Sequence, residues 1–137
     1  MAITLNTELD NTGVFGDYFK IEAWNNHAIS GSAVVTIQLY QSKAGREEGK
    51  NALNHSVQFH FTPGDHPISE FNVGTIDTTG VNDFRDLELH VRYQHIMNVA
   101  VIAKAIDDAN VGLPEEEQTT LSGNEQKALL FVNGVRD

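Results

Sequence analysis

The sequence predicts an α+β fold, a small antiparallel sheet packed with a long helix and a short C-terminal helix. Three observations predict it. Residues 18–40 alternate apolar and polar side chains on both sides of a polar, Gly-containing connection. Residues 81–111 hold neither Gly nor Pro and carry apolar residues at helical spacing. Ser122 and Glu125 stand at the spacing of a helix capping box.

At the N-terminus Ile3 and Leu5 alternate with polar residues, which predicts a short strand or an arm over residues 1–12. Asn11-Thr12-Gly13 marks a turn after it. The hairpin follows. Tyr18 to Trp24 would place Phe19, Ile21 and Ala23 on one face and Tyr18, Lys20, Glu22 and Trp24 on the other. Ala33 to Tyr40 would set Ala33, Val35, Ile37 and Leu39 against Val34, Thr36, Gln38 and Tyr40. Aromatic residues on both faces imply that each face is at least partly covered.

Ser42 as N-cap and Gly49 just past the end predict one or two helical turns between them. A third strand is expected over residues 56–62, where Val57, Phe59 and Phe61 alternate with polar neighbours, and Pro63-Gly64-Asp65 ends it. Residues 64–80 read as loop with one short strand at most. Asp83 can cap a helix over 83–109 whose stripe is Phe84, Leu87, Val91, His95, Val99, Ile102 and Ile106. Residues 87–93 also fit a strand; the missing breakers favour helix. At ~1.5 Å per residue such a helix is about 40 Å long, against a radius of gyration of ~14 Å for a domain of this size. A break near Asn98, or a projecting helix covered by something else, is therefore expected. Gly112-Leu113-Pro114 ends it, residues 112–121 form an acidic linker, and Ala128, Leu129, Phe131 and Val132 supply the apolar face of the C-terminal helix.

The 137 residues predict one domain, long enough to bury a core without staples. With no cysteine, disulfides, thiolate metal sites and Cys nucleophiles are excluded. Nine basic against nineteen acidic residues give a net charge of −10. That field repels a phosphate backbone, so no nucleic-acid partner is expected, whereas a basic protein surface would be attracted. No basic, apolar leader opens the chain and no stretch approaches the ~20 apolar residues of a membrane span, so a soluble protein made in the cytoplasm and not exported by a signal peptide is expected.

Candidate chemistry fails on spacing. His55 and His60 straddle a strand at a spacing of five and so point to opposite faces, His90 and His95 are also five apart, off the i, i+4 alignment that brings metal ligands together on a helix, and His66 beside Asp65 reads as a solvated turn residue. Gly45-Arg46-Glu47-Glu48-Gly49-Lys50-Asn51 has three residues between its glycines and Asn after the Lys, so it is not a phosphate loop. No Gly-x-Ser-x-Gly elbow is present, and Glu47-Glu48 and Asp107-Asp108 diverge as sequence neighbours. Neither an enzyme nor a cofactor is expected. Tyr18, Trp24 and Tyr40 have two readings: cover for the second face of their own sheet, or an aromatic patch for a protein, peptide or carbohydrate partner.

Tyr18-Phe19-Lys20-Ile21, the β-branched strand after it, and Ser42-x-x-x-Arg46-x-x-Gly49-Lys50 resemble a pattern in small tail and baseplate proteins of tailed bacteriophages, over residues 18–53. The resemblance implies a structural virion component, made in the host cytoplasm, that acts through interfaces with its own copies and with other virion proteins. Candidate contacts are Ile3, Leu5, Tyr18, Trp24, Tyr40, the 83–109 region, Leu129, Leu130 and Phe131. The alternative is a non-catalytic carbohydrate- or peptide-binding module.

Overall fold

The β-branched and aromatic run from Phe15 pairs with the run ending at Tyr40, and this hairpin is the centre of the sheet. In a computed structural model, described here over residues 2–67 and 79–136, the elements are β1 (Ile3–Glu8), β2 (Phe15–Asn26), β3 (Ala33–Tyr40), α1 (Lys43–Glu47), β4 (Ser56–Phe61), α2 (Phe84–Asn110), α3 (Gly123–Ala128) and β5 (Val135–Arg136). The five strands form one antiparallel sheet in the order β4-β3-β2-β1-β5, and with the helices they make an α+β fold. The 64–80 reading falls largely on residues 68–78, outside the described residues.

Where one domain is expected, the chain forms two compact units, residues 1–65 with 133–137, and residues 66–132. The division follows from the order of elements. Three strands, α1 and a fourth strand come first and the longer helices follow, while β5 at the C-terminal end returns to pair with β1.

In the first unit the N-terminal segment is an interior strand and not an arm. β1 lies between β2 and β5, and Ala2 and Ile3 are fully buried. Leu9 closes the turn to β2 by donating its N–H to the Val14 carbonyl at 2.8 Å, with Asp10 and Asn11 in the left-handed backbone region (φ 45° and 56°). Ile3, Phe19, Ile21, Val35, Ile37, Leu39 and Phe59 share one face by register, and all are buried. The other face is more polar. It carries Lys20, Thr36, Gln38, Ser56 and Gln58, and a small apolar cluster of Ala2, Tyr18 and Tyr40 with half-buried Ala52 packed against it.

α1 forms as its cap predicts. The Ser42 hydroxyl accepts the Gly45 N–H at 3.0 Å, and Gly49 just beyond the helix takes φ 80°, the left-handed value that favours Gly.

The second unit is built on α2. The Asp83 carboxylate accepts the Asp86 N–H at 2.8 Å, and with no Gly or Pro in its path the helix runs unbroken past Asn98 to Asn110. Residues 87–93 are therefore helical. The buried stripe differs from the one predicted: Tyr93, Ile96, Val99, Ala100 and Ala103 are buried, whereas Phe84 is 89% exposed. Position within the helix explains the difference: the buried residues fall in the middle turns of α2, Tyr93 to Ala103, away from Phe84 at its N-terminal end, and α3 and the 3-10 turn Leu129–Phe131 pack against the helix. Ala128 and Phe131 complete this core.

The acidic stretch 112–121 is a tied loop more than a linker. Asn110 grips Thr119 twice, accepting its N–H at 2.9 Å and donating to its carbonyl at 2.8 Å, while Glu115–Glu117 form an exposed 3-10 turn. Among the described residues no helix is long and apolar enough to cross a membrane.

Gly16 marks a point of close approach in the first unit. A Cβ there would lie 2.6 Å from the Tyr40 carbonyl oxygen and 2.9 Å from the Leu39 side chain. A backbone oxygen cannot swing away, so Gly16→Ala is expected to lower stability by about 1–3 kcal/mol in urea unfolding.

Candidate functional site

The sheet register decides where the candidate aromatic residues go. Ile21 pairs with Ile37 and Ala23 with Thr36, so β2 inserts Glu22 as an extra residue, a β-bulge. Beyond it the alternation reverses. Trp24 pairs with Val35 and so lies on the apolar face, whereas Tyr18 and Tyr40 pair with each other on the opposite face. An uninterrupted strand would have put Trp24 beside Tyr18. The three residues form no common patch.

Their burial reinforces this. Tyr18 and Tyr40 are 5% and 7% exposed and Ile3 is fully buried, so these expected contact residues pack within the chain itself. Phe131 is also buried, and Leu5, Trp24, Leu129 and Leu130 are half-buried. The large apolar residues that do reach solvent include Ile29 at the β2–β3 turn, Phe84, Val101, Val111 and Val135.

A second arrangement grows from the same bulge. Glu22 accepts the Tyr40 hydroxyl at 2.9 Å and the Arg46 Nε–H at 3.0 Å on a single carboxylate oxygen, Oε1. The Arg46 guanidinium also lies 5.3 Å from the centroid of the Tyr40 ring, within cation–π range. Burial, then the Glu22 hydrogen bond and charge, push the Tyr40 phenol above its ordinary value, with Arg46 acting in the opposite sense. A tyrosine held protonated and hydrogen-bonded in this way acts as a clamp, not a nucleophile. It fastens α1 to β2 and β3. Tyr18 stands opposite Tyr40, Arg46 is in the clamp and Gly49 lies just past α1.

The third cluster lies in the second unit, and reading His66 as a solvated turn residue misses it. The His66 side chain is only 11% exposed, and its Nε2 stands 3.1 Å from Oε2 of Glu125. The other oxygen of that carboxylate accepts the Ser122 N–H at 2.8 Å, while the Ser122 hydroxyl accepts the Glu125 N–H at 3.2 Å. This is the capping box the spacing predicts, with a histidine added. His95 of α2 brings its Nε2 to 2.7 Å from the His66 carbonyl, and a carbonyl can only accept, so that nitrogen carries the proton. Burial pushes the Glu125 carboxyl up, but Ser122 and then His66 pull it down harder, and it rests below its ordinary value.

Elsewhere the histidines stay apart. His55 meets the Phe19 ring edge-on at 5.9 Å, and His60 is exposed on β4. Among the described residues no group of three or more His, Asp or Glu side chains is placed to hold a metal ion. An open hollow of about 270 Å³ is lined by Val81, Asn82, Asp83, Phe84 and Leu87, and its one carboxylate, Asp83, is committed to capping α2. Compared with known proteins, the chain matches no family model, no curated protein and no solved structure.

Two measurements check these clusters. Tyr40→Phe is expected to cost about 0.5–1.5 kcal/mol, and its effect to be less than additive with Arg46→Met, because both remove partners of one Glu22 oxygen. Urea midpoints of the single and double variants read this out. The depressed Glu125 carboxyl contributes stability that is fully present above its ordinary value of 4.5 and is lost as pH falls through the lower folded value. Acid unfolding followed by circular dichroism should therefore steepen below pH 4.5, and the loss should be shallower in Glu125→Gln.

Proposed function

We propose that this chain is a non-catalytic structural component of a phage virion, in the tail, the baseplate or an associated assembly, acting through protein–protein interfaces. The observation that carries the reading is the β2–β3–α1 motif closed by Glu22, Tyr40 and Arg46, because the residues of the phage-protein resemblance lie within it. Such a motif suits a part that must keep its shape under load, since its connections are fixed by a bulge, a cap and a three-residue clamp. The net charge of −10 suits a neighbour with a basic surface and disfavours a phosphate backbone.

A glycan- or peptide-binding role built on Tyr18, Trp24 and Tyr40 draws no support from their placement on opposite faces. The assembly reading is tested by mass in solution and by mass spectrometry of purified particles. A concentration-dependent oligomer and recovery of the chain's peptides from virions of the genome that encodes it are expected. A monomer at all concentrations, missing from such particles, would overturn the reading.

A further inference from the structure

We propose that His66 and Glu125 form a proton-operated latch, which holds the first residue of the second unit against α3 most tightly in mildly acidic solution and loosens as the pH rises. The geometry is that of a built pair. Both side chains are about nine-tenths buried, the nitrogen-to-oxygen separation is 3.1 Å, and the carboxylate has its second oxygen occupied by the Ser122 amide. His66 itself is held with φ 51°, a backbone region that a non-glycine residue adopts only at a cost. Two contacts offset that cost: the ring on Glu125 and the carbonyl on His95.

The latch needs opposite charges, so it has two limits. On the acid side Glu125 must remain ionised, and its environment favours that form. On the alkaline side an imidazole loses its charge within the physiological range. A neutral His66 can still donate from Nε2, so the hydrogen bond persists while the charge attraction is lost. The sign follows for each partner. The Glu125 contribution is present above the carboxylate range, and the His66 contribution is present while the ring is protonated and lost as pH rises.

Other titratable groups stand near the pair. His95 from α2 brings its Nε2 to the His66 carbonyl. One turn earlier on α2, Arg92 is paired with Glu88 at 2.8 Å. Asp65 precedes His66 in the chain, and Lys127 of α3 is exposed, two residues beyond Glu125 and so off its side of the helix. Among the described residues that act on Glu125, His66 is the ionisable one; the others are the amide and hydroxyl of Ser122. The latch does not depend on an assembly role and stands or falls separately.

The test is amide hydrogen exchange of the full chain at about pH 5.5 and pH 8, read as protection factors for Ser122, Glu125 and Gln126. Such factors correct for the intrinsic pH dependence of exchange. Protection about three- to tenfold higher at the lower pH is expected. His66→Asn removes the titrating ring while keeping a residue type that tolerates positive φ, and Glu125→Gln keeps the capping box without the charge. Loss of the pH step in both variants, with the step kept in His60→Gln, supports the latch. A step absent from the unsubstituted chain, surviving in either latch variant, or lost in His60→Gln overturns it.

Discussion

One inserted residue governs the first unit. Because Glu22 and Ala23 together face Thr36, every side chain of β2 beyond that point changes sides relative to an uninterrupted strand. Trp24 moves to the apolar face opposite Val35. Glu22 is left where its carboxylate meets Tyr40 from β3 and Arg46 from α1. A second irregularity, where Leu5 and Asn6 of β1 together face Asp17, keeps Ile3 opposite Phe19 while the strand shifts register toward Gly16. Of these two bulges, the one in β2 meets α1, through Glu22 and Arg46.

The second unit rests on a different device. α2 is a long helix whose buried residues, Tyr93 to Ala103, lie in its middle turns, and α3 and the turn after it pack against it. α3 is only six residues long, too short to be stable by itself. Its first turn is held by a reciprocal cap, and the same Glu125 carboxylate joins it to His66. Placing a charge at the joint makes that contact responsive to protons, which an apolar contact of the same size would not be.

Both devices fix local geometry within their own units. The side chains that local pattern nominated as contacts are in several cases the ones the fold consumes. Ile3, Tyr18, Tyr40 and Phe131 are buried, while the large apolar residues left in solvent, such as Ile29 and Phe84, belong to separate elements. Large apolar residues are the first to be buried by a chain's own folding, so hydrophobicity alone does not distinguish a contact from a core.

By itself the sequence determined the elements and their caps. The two hairpin strands, the third strand, the Ser42 and Asp83 caps and the Ser122–Glu125 box all depend on residues close to one another in the chain, which a linear reading can weigh, whereas the helix from Phe84 runs on where a break near Asn98 or a projecting helix was expected. Only the tertiary structure decided the rest. The Glu22 bulge is set by register against β3, the interior position of β1 by pairing with a strand about 130 residues away in the chain, and the buried stripe of α2 by packing against elements distant in the chain. His66 and Glu125 meet although 59 positions separate them (125 − 66 = 59), and no spacing rule reaches that far. Local hydrogen bonding writes itself into neighbouring residue types, whereas the partners of a sheet register or a buried charge are chosen by packing.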